Sequence, residues 1–324
     1  MLPAGFDLRA IQIFVLVADL GGMTPAASRL GISQSAVSQA IASLEKLTDT
    51  QLFNRTIRPM ALTSAGDRLY LHGNALLTAA KNTFNEVRKK ERKSFSNVTI
   101  AMFESFANTI GHLITRDLRD QVENCQIWSG NSPNQHQELL SHEVDILVTA
   151  SRDLDDVPGM EHYDIFSEPF LLVCPSDYKG TTDDFSELEK MPFIRYTTRS
   201  AMGRRIESQV SRLGLNLPSS SGFDTVTGQL KAVANGMGWC MTTPLCLLQE
   251  IHLLDRLRVA PLTSGKFRRE ISLIARKHEF GDLPATIAST AQNILKQHAF
   301  PKLYRNLPWI ENEIEWLPLD SNKL

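Results

Sequence analysis

Five polar residues, Ser33, Gln34, Ser35, Ser38 and Gln39, fall within the stretch ISQSAVSQAIASLEKL. Hydroxyls and primary amides donate and accept hydrogen bonds. Set on one face of a helix they suit the edges of base pairs. A glutamine amide matches the donor and acceptor of adenine, and a serine hydroxyl serves either way. Ala42 and Ser43 continue the ledge, and its small side chains would let the helix sit deep in a groove that admits one helix. The alternative is an ordinary solvated face. Serine is a middling helix former, so a cluster of serines asks for another reason.

Such a ledge needs elements to hold it. Behind it, Ala36, Val37, Ala40, Ile41, Leu44 and Leu47 form an apolar stripe at helical spacing, and Ser33 caps the start. Upstream, Leu8, Ile11, Phe14, Val15 and Ala18 predict a first helix ended by the glycines of DLGG. Thr24 then reads as an N-cap with Pro25 at the first helical position, Ala26, Ala27 and Leu30 facing inward, and Gly31 closing a short second helix. Two short helices joined at Gly31 make a helix-turn-helix. Downstream, LFNRTIRPMALTSAG places extended pieces around residues 52–55 and 60–63 on either side of a basic turn. This predicts a β-wing whose Arg55 and Arg58 would grip phosphates or enter the minor groove.

Ser64 with Asp67 three residues on looks like a capping box opening a helix to about Lys93. Leu69, Leu76 and Phe84 recur near a seven-residue period, with Gly73, Ala80 and Val87 beside them. A helix of that span is about 43 Å long. One apolar seam on it predicts pairing with the same helix of a second copy, the alternative being a helix lying on its own domain. The run RKKERK and residues 94–97 then read as a hinge.

Charge follows the same division. Residues 1–93 carry twelve Lys and Arg against seven Asp and Glu, a net of +5, which leaves −7 for the remainder of a chain whose total is −2. A basic head on an acidic body is a footprint for nucleic acid. The chain has 324 residues, too many for one core. No apolar run reaches the roughly 20 residues that span a bilayer, and IQIFVLVA lacks the basic start and small-residue end of a leader. The expectation is a cytoplasmic protein with no membrane contact. Cys125, Cys174, Cys240 and Cys246 include no CxxC pair, so buried reduced thiols are expected, with a Cys240–Cys246 redox switch as the alternative. The signatures GxSxG, GxGxxG, HExxH and the P-loop are absent from the sequence. The chain reads as a non-enzyme with no cofactor, no metal and no catalytic residues.

From Val98 onward, short β-rich runs such as VTIAMF, CQIWSG, DILVTA, FLLVCP, PFIRYT and ISLIARK alternate with helical segments. That alternation predicts an α/β domain with largely parallel sheets.

The segment MTPAASRLGISQSAVSQAIASLEKL, followed by LFNR and LTSAG, resembles the winged helix-turn-helix of LysR-type transcriptional regulators. Two departures stand out: LTDTQLF before the wing, and Gln39 at a position of variable polarity. In the body, SHEVDILVTA, SEPFLLVCPSDY and LKAVANGMGWCMTTP are similar, in the same order, to that family's effector domain, which is akin to periplasmic solute-binding proteins. The resemblance implies a multidomain fold. It would comprise an α-rich winged helix-turn-helix over 1–63, a long linker helix over 64–93, and a C-terminal α/β two-lobed effector-binding domain over 94–324. Lobe one would be about 98–170 plus 270–300, and lobe two about 171–269. It implies that Thr24, Ser33, Gln34, Ser35, Ser38 and Gln39 on the helices, with Arg55 and Arg58 on the wing, contact DNA. The target would be double-stranded DNA carrying an inverted repeat, bound by a dimer or tetramer of this chain. A small-molecule effector, an organic acid among the candidates, would lie between the lobes, where strand-to-helix loops gather. Glu104, Ser105, Asn131, Ser132, Thr197, Thr198 and Ser200 are the candidate polar contacts and Phe223 an apolar wall, although each polar one can instead be a plain helix cap. Arg199, Arg204 and Arg205 are further candidates for a carboxylate. A transport protein of the solute-binding fold is the remaining rival. The tail after Asn306 is unassigned, but Trp309 and Trp316 predict that it packs.

Overall fold

In the computed structural model, which describes residues 6–54, 59–88, 95–130, 135–151, 154, 157–183 and 185–319, Asp7 opens the first helix. Its carboxylate accepts from the Ala10 N–H at 2.8 Å, and α1 runs Leu8–Asp19. Ile11, Ile13, Phe14, Val15 and Val17 are buried, whereas Leu8, which shares their helical spacing, is exposed. Helix α2 is Met23–Leu30, with Gly22 as its N-cap. Thr24 is therefore not the cap but an exposed residue of the first turn. Pro25 is tolerated because N–H groups in that turn have no intrahelical acceptor. Gly31 ends the helix at φ 66°, a left-handed conformation that glycine adopts without penalty.

Helix α3 is Gln34–Thr48, and the Ser33 hydroxyl accepts from the Ala36 N–H at 3.2 Å. Val37, Ile41 and Leu44 are completely buried, each contributing about 1.5–3 kcal/mol. Ala36 and Leu47, expected in the same stripe, are exposed. Each lies about a quarter-turn off the line through the buried three. Strands β1 (Phe53–Asn54) and β2 (Ala61–Leu62) pair antiparallel, Phe53 opposite Leu62. Arg55 and Arg58 lie outside the described residues.

Helix α4 is Ser64–Arg88, about 37 Å long. Its cap is Thr63, whose hydroxyl accepts from the Gly66 N–H at 3.1 Å. The Ser64–Asp67 box does not form, because the helix begins one residue before that reading requires. Gly66 touches the backbone of Leu52 so closely that a Cβ would collide with the Leu52 carbonyl oxygen. Gly66→Ala should therefore cost about 1–3 kcal/mol, read as a lower urea midpoint for the first unfolding transition. Ala65, Leu69, Tyr70 and Leu77 pack on the core of α1–α3, and the Tyr70 hydroxyl donates to Asp19 at 2.5 Å. The first half of α4 thus lies on its own domain. Leu71, Leu76 and Phe84 are exposed.

The chain divides into two compact units, Met1–Arg92 with Leu140–Glu143, and Lys93–Leu139 with Val144–Leu324. The second contains β3 (Phe95–Met102), α5 (Glu104–Phe106), α6 (His112–Asp117), β4 (Val122–Ser129), α7 (Gln135–Leu140) and β5 (Ile146–Thr149). The long β6 (Met160–Pro169) then leads into β7 (Leu171–Pro175), β8 (Phe193–Tyr196), α8 (Ala201–Arg212), β9 (Ser219–Phe223), α9 (Val226–Ala234), β10 (Cys240–Thr242), α10 (Pro244–Gln249) and β11 (Leu257–Pro261). The return strand β12 (Arg268–Arg276) precedes α11 (Leu283–Ile294), α12 (Phe300–Tyr304) and β13 (Glu315–Trp316).

One sheet has the order β13-β6-β12-β5-β3-β4, a second β10-β7-β11, and a third β8-β9. Only β3–β4, β3–β5 and β8–β9 are parallel among these pairings. The expectation of largely parallel sheets does not hold. The chain leaves lobe one along β6 and returns along β12, its sheet neighbour, so the two must run in opposite directions. Strand β7 likewise takes both its partners antiparallel. At the crossing, the Phe170 N–H donates to Phe267 O at 3.0 Å, and the two rings stack with centroids 4.0 Å apart. The tail packs as expected. Trp316 lies against Phe166 and Phe300, and β13 adds an edge strand to β6.

Candidate nucleic-acid interface and effector cleft

The exposed side of α3 carries Gln34, Ser35, Gln39, Ala42 and Ser43, with Ser38 half-buried at its margin. Ser33 is committed to capping, and its hydroxyl also lies 2.9 Å from that of Ser35. The ledge and the buried line Val37–Ile41–Leu44 are therefore opposite sides of one helix. Sequence reasoning placed both correctly but missed Glu45. Its carboxylate accepts from the Leu52 N–H at 2.9 Å and the Phe53 N–H at 3.4 Å, fastening the first wing strand to the end of α3.

In the second unit, a cleft of about 730 Å³, mouth included, opens between the lobes. Lobe one contributes Glu104 and Ser105 from the start of α5 and Thr149 and Ser151 from the end of β5. Lobe two contributes Arg199 and Arg204 around the start of α8. Glu104 also joins the lobes. Its carboxylate accepts from Gln249 Nε2 at 3.1 Å and from the Val226 N–H at 3.4 Å.

The wall between them is an arginine that the sequence reading passed over. Arg269, on β12, is 4% exposed and lines the cleft. Its Nε donates to Glu168 Oε1 at 2.7 Å and its Nη2 to Thr243 Oγ1 at 2.9 Å. Glu168 is completely buried, and its other oxygen accepts from the Leu245 N–H at 2.8 Å. The guanidinium lies 4.9 Å from the Phe103 ring centroid. Its Nη1 meets only the Met202 sulfur, at 3.8 Å, among the described residues. Burial works against this charge, but the Glu168 carboxylate together with the neighbouring Cys246 and Tyr196 holds the guanidinium pKa above its usual value. A signal existed: an arginine at the third position of FRREISLIARK and a glutamate opening EPFLLV are ionic residues leading into apolar strands, and such charges are buried only when paired.

Of the sequence candidates, Glu104 and Ser105 line the cleft together with Arg199 and Arg204. Ser200, buried, caps α8 by accepting from the Gly203 N–H at 3.0 Å. Thr198 is exposed and its carbonyl accepts from Arg204 Nη1 at 3.1 Å. The Thr197 hydroxyl is buried with no hydrogen-bond partner among the described residues, and Phe223 packs on the lobe-two core. None of these four is a lining residue of the cleft. Arg205 donates to the Arg268 carbonyl at 3.4 Å. Asn131 and Ser132 lie outside the described residues. Among the described residues there is no group of three or more His, Cys, Asp and Glu that could hold a metal, and no helix is long and apolar enough to cross a membrane.

Two family models match. One, described as the LysR substrate binding domain, covers residues 95–286. The other, a bacterial regulatory helix-turn-helix protein of the lysR family, covers residues 8–67. Among curated relatives, the nitrogen assimilation regulatory protein nac of Klebsiella aerogenes is 27% identical over 237 residues, 72% of this chain and 76% of that protein. Among solved structures, full-length OxyR from Pseudomonas aeruginosa aligns with a TM-score of 0.64 at 17% identity, over 88% of this chain and 97% of that one. CbnR, a LysR family transcriptional regulator, aligns with a TM-score of 0.58 at 18% identity, over 89% and 98%.

Proposed function

Because the chain belongs to the LysR family of bacterial transcriptional regulators, we propose that it reads a specific DNA site with the exposed face of α3 and that a small organic anion in the cleft controls how that site is held. The observation that carries the reading is the division of α3: Val37, Ile41 and Leu44 completely buried, Gln34, Ser35 and Gln39 in solvent. A surface helix needs polar residues on its outer face, but small hydroxyls and amides beside a wing are a groove-reading set. Leu76 and Phe84, exposed about a quarter-turn apart on α4, offer a face for a second copy, and a dimer would set two α3 helices on an inverted repeat.

Selection of bound duplexes from a random library by the full chain tests this. Recovery of an inverted-repeat motif is expected. Gln39→Ala should relax one base position by about 1–3 kcal/mol. Arg55→Ala should instead weaken all sequences alike and lower the salt slope by about one. No enrichment over random duplex would refute the reading.

An anionic effector follows from the cleft's charge. Arg199 and Arg204 face it from lobe two, against the single lining carboxylate of Glu104, which is occupied by Gln249 and Val226, while Arg269 in the wall is already matched by Glu168. Bound acid would favour one lobe arrangement only by the difference in its affinity for the two. A thermal-shift screen of small mono- and dicarboxylates should yield stabilising acids whose effect falls in Arg204→Ala. Equal shifts in the variant would refute the assignment.

A further inference from the structure

We propose that the wall of the interlobe cleft selects a second functional group on the effector, and that the ligand is an oxo acid. Its uncharged carbonyl oxygen would sit on the Arg269 guanidinium and its carboxylate toward Arg199 and Arg204. This rests on the anionic-effector reading above and adds the other end of the molecule.

The charge of Arg269 is matched, but one of its donors is not. A guanidinium carries five N–H bonds in a fixed fork. The Nε and Nη2 groups face Glu168 and Thr243. Nη1 meets only the Met202 sulfur, at 3.8 Å, among the described residues, and a thioether is a weak acceptor. Met202 and Arg269 both line the cleft, so these N–H groups stand at its surface. Arg269 is only 4% exposed. A largely desolvated donor gains more from a good acceptor than the same donor gains in water.

An uncharged oxygen is the acceptor that fits. Glu168 is completely buried and already cancels the guanidinium charge. A second carboxylate at that wall would bring a negative charge with no cation left to match it. A carbonyl offers lone pairs without the charge. The Phe103 ring flanks the guanidinium. Two residues further on, Ser105 is 2% exposed and lines the cleft, and its hydroxyl has no partner among the described residues. Two unmatched donors, one from each side of Phe103, suit a group that only accepts. The ligand's carboxylate is left to Arg199 and Arg204, both exposed around the start of α8.

Calorimetric titration of the full chain with matched acids tests this. Each set holds a plain acid, its oxo acid, and the dicarboxylate in which a second carboxylate replaces the acetyl end. The sets are pentanoate, 4-oxopentanoate and succinate; hexanoate, 5-oxohexanoate and glutarate; heptanoate, 6-oxoheptanoate and adipate. In at least one set the oxo acid should bind about tenfold tighter than both companions. Arg269→Lys keeps a cation for Glu168 but has no second nitrogen for the ligand. Checked for folding by circular dichroism, it should erase the preference and leave the plain acid's affinity unchanged. Should that variant not fold, the wild-type sets decide by themselves. Suppose acids bind and weaken in Arg204→Ala, yet no oxo acid exceeds both companions, or the preference survives Arg269→Lys. The oxo-acid inference is then overturned while the anionic-effector reading stands. If no acid of any set binds, both fall.

Discussion

Arg269→Ala should destabilise the second unit by about 3–5 kcal/mol, among the largest single losses available in this chain. Removing the guanidinium leaves the Glu168 carboxylate completely buried with only the Leu245 N–H at 2.8 Å to answer it. The cost of an uncompensated buried charge exceeds the worth of the pair itself. The fork is also the bond between strands β6 and β12 and the start of α10, through Glu168 and Thr243. Arg269→Lys keeps the charge but cannot reach both partners, so it should recover only part of the loss. The double variant Arg269→Ala, Glu168→Gln should lose less than Arg269→Ala alone, because the neutral amide still accepts from Leu245 without a naked charge. Urea unfolding of the full chain, following the transition of the second unit, measures all three. A loss below about 1 kcal/mol in Arg269→Ala would mean that the carboxylate reaches water.

Cys174 and Cys240 should resist oxidation, with rates suppressed by orders of magnitude. Thiolate is the reactive form. Burial pushes Cys240 well above the ordinary thiol range and Cys174 up to about 11. At pH 8 a thiol of that pKa is ionised roughly one part in a thousand. Cys246 has no exposed surface, and its sulfur lies 3.4 Å from the Thr243 hydroxyl. Half-buried Cys125 is the most accessible of the four, and burial raises it too. Intact mass after mild peroxide should show no loss of two hydrogens, and alkylation under native conditions should stop at Cys125. A Cys240–Cys246 bond in the peptide map would instead make the chain a thiol sensor.

The helices of the first unit were legible because their signals are local. Ser33 and Gly31 act through their immediate neighbours, and Val37, Ile41 and Leu44 follow the helical period. The errors were of register. Thr24 and Ser64 are both good caps by type, but Gly22 and Thr63 take those places, and nothing within a few residues distinguishes the choices. The cleft was legible only in part. Loop position pointed to Glu104 and Ser105, yet Ser200 is consumed as a cap. Arg269 was hidden because its meaning depends on Glu168, 101 positions away. The sheet direction failed for a similar reason. Alternating strands and helices imply parallel order only if neighbours in the sheet are successive crossovers, and β6 and β12 are not.

If α3 enters a groove as proposed, the Glu45 carboxylate bears on how the duplex is held. Because it holds the backbone of Leu52 and Phe53, α3 cannot tilt without dragging the start of the β-wing. The two behave as the jaws of a fixed caliper. Whatever groove receives α3 also dictates where the wing lands along the helix axis. A duplex whose groove spacing departs from that gauge must bend to meet the protein, so its stiffness enters the affinity even at base pairs that no side chain reaches.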